Sequence, residues 1–165
     1  MKVGTLLSYG TSGVCKVIDV RKETVLGKTV EYYVLSPVND EKTTIFIPTN
    51  NERLVAKMQP LLTPDEINEL IASMPHEVCE WIAEDRVRNE TFREYLNNGT
   101  RNDLVRMMRI LYTHRGELAK CGKKLRTSDS LMLRQAESKL YGEIALVLGI
   151  DVSEVEGYIE QRLKA

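Results

Sequence analysis

Long apolar runs are missing from this 165-residue chain: nowhere do eighteen hydrophobic residues follow one another, so no helix has the length to span a bilayer. The opening Met1-Lys2-Val3-Gly4 has no charged segment followed by an apolar one and a small-residue cleavage site, and the expectation is a cytosolic protein. Cysteine is scarce. Cys15, Cys79 and Cys121 lie far apart in no metal-ligand spacing, and an odd number cannot all pair within one chain, so they are expected to be reduced and inert. The two histidines, His76 and His114, stand in no spacing that would make a cysteine hydrolase or a metal centre with them. The expectation is a protein that is not an enzyme and holds no metal or cofactor. Glycine-rich phosphate cradles and βαβ alternation are also lacking, which argues against Rossmann and P-loop folds. Net charge is nearly absent too: 23 basic against 24 acidic residues leave −1, which on an evenly mixed surface would disfavour nucleic acid.

What is present divides in two. Apolar residues make up 42% of the chain and charged ones 28%, enough for one domain or two small ones. Over the first fifty residues, β-branched and aromatic runs are broken by Gly, Asn, Asp and Pro, predicting strands over 3–9, 14–20, 30–35 and 43–47. Short strands with short turns suggest a small antiparallel barrel or curled sheet. The period then changes. Thr63-Pro64-Asp65-Glu66 supplies a capping hydroxyl, a proline at the first helical position and a Glu three after the cap, predicting a helix from Pro64 to about Met74. Further helices are predicted over 78–96, ended by a left-handed stop at Asn97-Asn98-Gly99, from near Thr100, from near Thr127, and from a capping box at Ser153-Glu154-Val155-Glu156. The fold class is therefore α+β, with a β module over 1–60 and an all-α bundle over 61–165.

Charge is segregated along the chain. Residues 1–75 carry −1, 76–85 carry −4, 86–139 carry +7 and 140–165 carry −3. Nine of the thirteen cations in the basic middle are Arg, whose planar fork suits phosphate. Such a stretch reads either as a solvated helical face or as a phosphate-binding surface. Arg86-Val87-Arg88 and Lys123-Lys124-Leu125-Arg126 fall near helix ends or in a connection, where backbone donors can assist. The single tryptophan, Trp81, has two readings as well. On one continuous helix, Arg88 and Phe92 would share its face, which makes it a core residue; exposed beside arginines, it would be a wedge against bases.

Taken in order, Val3-Gly4, Tyr9, Gly13-Val14, Tyr32-Tyr33-Val34-Leu35, Ile45-Phe46-Ile47-Pro48, Trp81 with its Arg cluster, Asn98-Gly99, the Leu104 to Leu111 stripe and Leu140-Tyr141-Gly142-Glu143-Ile144-Ala145 resemble the CarD/CdnL family of bacterial transcription regulators. The N-terminal module of that family is shared with the transcription-repair coupling factor. The resemblance implies a Tudor-like or SH3-like barrel that binds the β subunit of RNA polymerase. It also implies a helical domain that contacts promoter DNA at the upstream edge of the bubble, so that the protein modulates open-complex stability. Carried onto this chain, the polymerase contact falls on Glu23, Ile45, Phe46 and Ile47, with Phe46 standing where the family has an arginine. DNA contact falls on Trp81, Arg86, Arg88, Arg93, Lys123, Lys124 and Arg126. The expected partners are RNA polymerase and promoter DNA, with no membrane and no small-molecule substrate, for a monomeric protein associated with the nucleoid through polymerase. The competing reading is an interaction adaptor that never touches DNA.

Overall fold

Alternation of side chains fixes the N-terminal unit. In the computed structural model, which describes residues 1–76 and 80–164, the chain divides into one compact unit over Met1–Leu61 and a second from Leu62 onward. The first contains five antiparallel strands, β1 (Leu6–Tyr9), β2 (Gly13–Val25), β3 (Lys28–Pro37), β4 (Ile45–Pro48) and β5 (Met58–Pro60), in the order β4-β3-β2-β1-β5. A single helical turn, α1 (Glu52–Val55), precedes β5 and is capped by the Asn51 side chain, which accepts from the Leu54 N–H. Leu7, Cys15, Val17, Leu35 and Ile47 form the buried core on one face of the sheet, with Val20, Tyr33 and Ile45 packed around them. Burial pushes the Cys15 thiol up to about 11, so it stays protonated at neutral pH. Cys121 is exposed and Cys79 lies outside the described residues.

Three features depart from the expected barrel. First, no pairing joins β4 to β5, so the sheet is open; both strands are short, and each ends in a proline that cannot donate to a ladder. Second, β2 and β3 run past the other strands as a long ribbon, closed by a two-residue turn with Leu26 at φ 51° and Gly27 at φ 77°. Third, a bulge between Val17 and Asp19 interrupts the β2–β3 register.

The second unit contains α2 (Pro64–Ser73), α3 (Asp85–Asn98), α4 (Arg101–Lys120), α5 (Thr127–Leu148) and α6 (Val152–Lys164). Helix α2 is capped as its sequence predicts: the Thr63 hydroxyl accepts from the Glu66 N–H at 3.2 Å, and Pro64 occupies the first turn. Thr100 and Asp103 make a reciprocal capping box for α4. The apolar stripes meet in one core built on Ile67, Phe92, Leu104, Leu111, Leu140 and Ile144.

Other helix boundaries differ from expectation. Residues 80–84 are not helical, so α3 starts at Asp85 and Trp81 precedes it; the expected start at Val78 lies outside the described residues. The cap of α6 is Asp151, which accepts from the Ser153 N–H at 3.0 Å, while Glu154 accepts from the Asp151 N–H. That backbone hydrogen bond holds the Asp151 carboxyl below its ordinary range. Gly99 ends α3 without a left-handed turn, at φ −74°, and is needed for a different reason. A Cβ there would meet the Tyr95 carbonyl oxygen at 2.5 Å and its Cα at 2.7 Å, both backbone atoms that cannot swing aside. Gly99→Ala is expected to cost about 1–3 kcal/mol, the usual penalty for overpacking, as a lower urea midpoint at unchanged slope.

Candidate functional site

On the sheet, the register decides which predicted contacts are available. Residues directly opposite one another share a face, so Asp19, Arg21 and Glu23 of β2, Tyr32 of β3 and Phe46 of β4 all lie on the face opposite the core. Phe46 is 46% exposed and meets Tyr32 edge to face at 6.2 Å. The Arg21 guanidinium lies 5.9 Å from the Phe46 ring and bridges Asp19 at 3.1 Å and Glu23 at 3.7 Å. Glu23 and Phe46 are therefore brought together, whereas Ile45 and Ile47 point the other way, Ile47 fully buried and Ile45 packed against the core. Arg21 and Tyr32 complete this patch and were not picked out from the sequence.

The outer edge of β4 is open over a single residue. The Thr49 N–H donates to the Glu31 carbonyl, which fixes 33/47 and 35/45 as the bonded pairs and turns the Phe46 N–H and C=O outward. Pro48 has no N–H, and its carbonyl accepts from Asn51. Phe46 thus offers a partner both a ring and a short piece of unpaired main chain.

In the helical unit the predicted residues separate sharply. Arg88 takes a core position: with Phe92 and Leu96 it forms an i, i+4 stripe on α3, and it is 1% exposed. Its guanidinium donates to both carboxylate oxygens of Asp129, at 2.9 and 3.0 Å, to Asp85 at 2.7 Å and to the Ile82 carbonyl at 2.9 Å. Burial alone would pull its pKa down; the hydrogen bonds to Asp129 and Asp85 outweigh that and leave it raised. Arg88 is thus a structural clamp, with no guanidinium surface left for a phosphate. The hydrogen bond from Arg88, assisted by the charge of Arg126, holds the Asp85 carboxyl below its ordinary range.

Trp81 is held by the same clamp. His114 of α4 stacks on its ring at 3.5 Å and 9°, and the Arg88 guanidinium lies 4.4 Å from the ring centre. Two groups cannot share one face at those distances, so both faces of the indole are taken within the protein. The continuous-helix relation to Phe92 does not hold, yet Trp81 still packs against the core.

Around this stack opens a cavity of about 310 Å³, lined by Trp81, His114 and Asp85 and, from the α4–α5 connection, by Lys123, Lys124 and Arg126. All three cations are exposed. Arg126 pairs with Asp85, and it is the N-cap residue of α5, whose first turn receives no side-chain cap. Unsatisfied N–H groups and three cations therefore meet in one place. Arg86 and Arg93, seven residues apart, share the outer face of α3 away from this cavity, and Arg86 pairs with Glu90 at 3.2 Å. His114 and Asp129 were not picked out from the sequence, since neither carries a motif and both act through the tertiary fold.

The +7 count also overstates the free basic surface. Besides Arg88, Arg101 forms a fork with buried Glu143 at 3.1 and 2.8 Å, and buried Lys139 donates to the Leu96 carbonyl at 2.9 Å. Burial, then the charge of Arg101, lowers the Lys139 pKa to about 8, against 10.5 in the unfolded chain. Between those values the unfolded chain binds the extra proton, so this residue's contribution to stability rises with pH from about 8 to 10.5. Comparing the native chain with Lys139→Met by urea denaturation at pH 7 and pH 10 should show the difference shifting by roughly 1–3 kcal/mol in favour of the native chain at the higher pH.

The architecture is that of a two-unit α+β protein: a sheet presenting an aromatic and ionic face, followed by a helical unit with a basic connection. Residues 1–61 match the family model of the CarD-like/TRCF RID domain, and these are the residues of the first compact unit. The N-terminal unit is a CarD-like/TRCF RID domain, an RNA polymerase-interacting domain. No curated protein matches the chain.

Proposed function

We propose that this protein is a non-enzymatic transcription regulator of the cytoplasm that binds the β subunit of RNA polymerase through its N-terminal unit and promoter DNA through its helical unit. The DNA contact lies at the upstream edge of the bubble, and the protein shifts open-complex stability by binding the open state better than the closed one. The observation that carries the DNA part is the meeting of Lys123, Lys124 and Arg126 with the uncapped start of α5. Phosphate binding needs that combination of cations and backbone donors. Arg86 and Arg93 extend the basic surface along α3, while Arg88 and Trp81 support it from inside.

The purified chain should co-elute with RNA polymerase at moderate salt, and no co-elution would end this reading. For DNA, three phosphate contacts predict a log–log salt slope of about −2.7, and Lys123→Ala/Lys124→Ala should reduce its size by about 1.8. The adaptor reading draws support from the three cations that are turned inward. A flat salt response, or no DNA binding with polymerase binding intact, would favour it.

A further inference from the structure

We infer that the cavity beside Trp81 and His114 is a pocket for a single nucleotide, an unpaired base with its phosphate, and that His114 is the ring on which the base stacks. The inference deepens the DNA reading of this unit and rests on it. Its volume, about 310 Å³, falls at the low end of the range of small-ligand cavities, roughly 300–1,000 Å³, which suits one nucleotide and not several.

The chemistry of the walls is specific. Stacking needs an open ring face, and Trp81 has none, being held between His114 and Arg88. His114 gives one face to the indole and is itself part of the cavity lining, with a side chain 23% exposed. Guanidinium, indole and imidazole therefore form a column that reaches the cavity at its His114 end. Next to that end, Lys123 and Lys124 supply cations for the phosphate, and the first-turn N–H groups of α5 add to them. Asp85, kept ionised by Arg88 and Arg126, adds a carboxylate that accepts from the amino group of a base. A base within a duplex has both faces covered by its neighbours, so the pocket selects an unpaired one.

Such a nucleotide has two sources, a single strand of DNA or a free mononucleotide. The chain has one tryptophan, so the emission of Trp81 reports directly on the pocket wall. The full chain is titrated with an eight-nucleotide single strand, with the corresponding duplex, and with deoxynucleoside monophosphates. A saturable emission change is expected with the single strand, and His114→Ala should weaken it roughly tenfold or more, while His114→Phe, which keeps a stacking face, retains it. Ala83→Phe, at an exposed position of the lining, fills the cavity without touching the clamp and should abolish the change. A response to the single strand alone assigns the pocket to a DNA strand. A response to monophosphate with the same sensitivity to both variants assigns it to a free nucleotide, and together with no DNA binding it keeps the pocket and ends the DNA reading. Duplex binding with no response to either unpaired ligand overturns the pocket and leaves the basic connection standing. A response that His114→Ala and Ala83→Phe both leave intact also overturns it.

Discussion

Arg88→Met is expected to lower the stability of the helical unit by about 3–5 kcal/mol, the usual cost of removing one member of a buried ion pair. The loss would come from what remains behind. Asp129, 2% exposed, would keep a charge with no partner, and the Ile82 carbonyl would lose its donor. Arg88→Lys should recover little, because an ammonium cannot fork across both oxygens of Asp129 while also reaching Asp85. Removing both charges, as in Arg88→Met/Asp129→Leu, should restore most of the stability, since well-packed apolar replacements of buried pairs are close to neutral. Urea denaturation followed by circular dichroism measures all three. A single variant that loses less than about 1 kcal/mol would show that the clamp is not structural. Trp81 emission should move to longer wavelength in Arg88→Met, because residues 80–84 lose the hydrogen bond and the cation that hold them.

The second large effect is expected at Phe46. An exposed aromatic ring beside unpaired main chain is the kind of residue on which binding energy concentrates. On the proposed function, Phe46→Ala should therefore weaken binding to RNA polymerase by about thirtyfold, equivalent to roughly 2 kcal/mol, without changing the folded state. Ile47→Ala is the informative contrast. That side chain is fully buried, so its truncation should reduce stability by about 2–5 kcal/mol and affect binding only through folding. Isothermal titration of each variant, with thermal melts alongside, separates the two effects. Full affinity in Phe46→Ala would remove the outward face as the contact.

The helices with local signals were legible in the sequence. Thr63-Pro64-Asp65-Glu66 and Thr100 begin helices as their chemistry dictates, because a cap is a short-range interaction. The start of α3 was not legible. Trp81, Arg88 and Phe92 fit a helical period, yet the chain holds residues 80–84 in a non-helical conformation through a hydrogen bond from Arg88 and a stack on His114, both set by the tertiary fold. Strand β5 was missed because three residues ending in proline carry no pattern. The basic segment was recognised as a whole, but not which cations face outward. Asp129 and Glu143 draw Arg88 and Arg101 inward from forty-one and forty-two residues away, and no local pattern announces such pairs. Of the predicted polymerase residues, strict alternation along β4 separates Phe46 from Ile45 and Ile47 once the core face is known.

The bulge near Ile18 acts on the sheet as an inserted base acts on a reading frame. Before it, odd-numbered residues of β2, Cys15 and Val17, enter the core; beyond it, odd-numbered Asp19, Arg21 and Glu23 face outward and Val20 takes up the inward series. Because side chains on a strand alternate with a period of two, one extra residue exchanges every later position between the faces. The ionic half of the outward patch is thus owed to the bulge that absorbs Ile18. Were Ile18 to continue the regular alternation instead of bulging, Arg21 and Glu23 would turn toward the core side while both side chains stayed chemically unchanged.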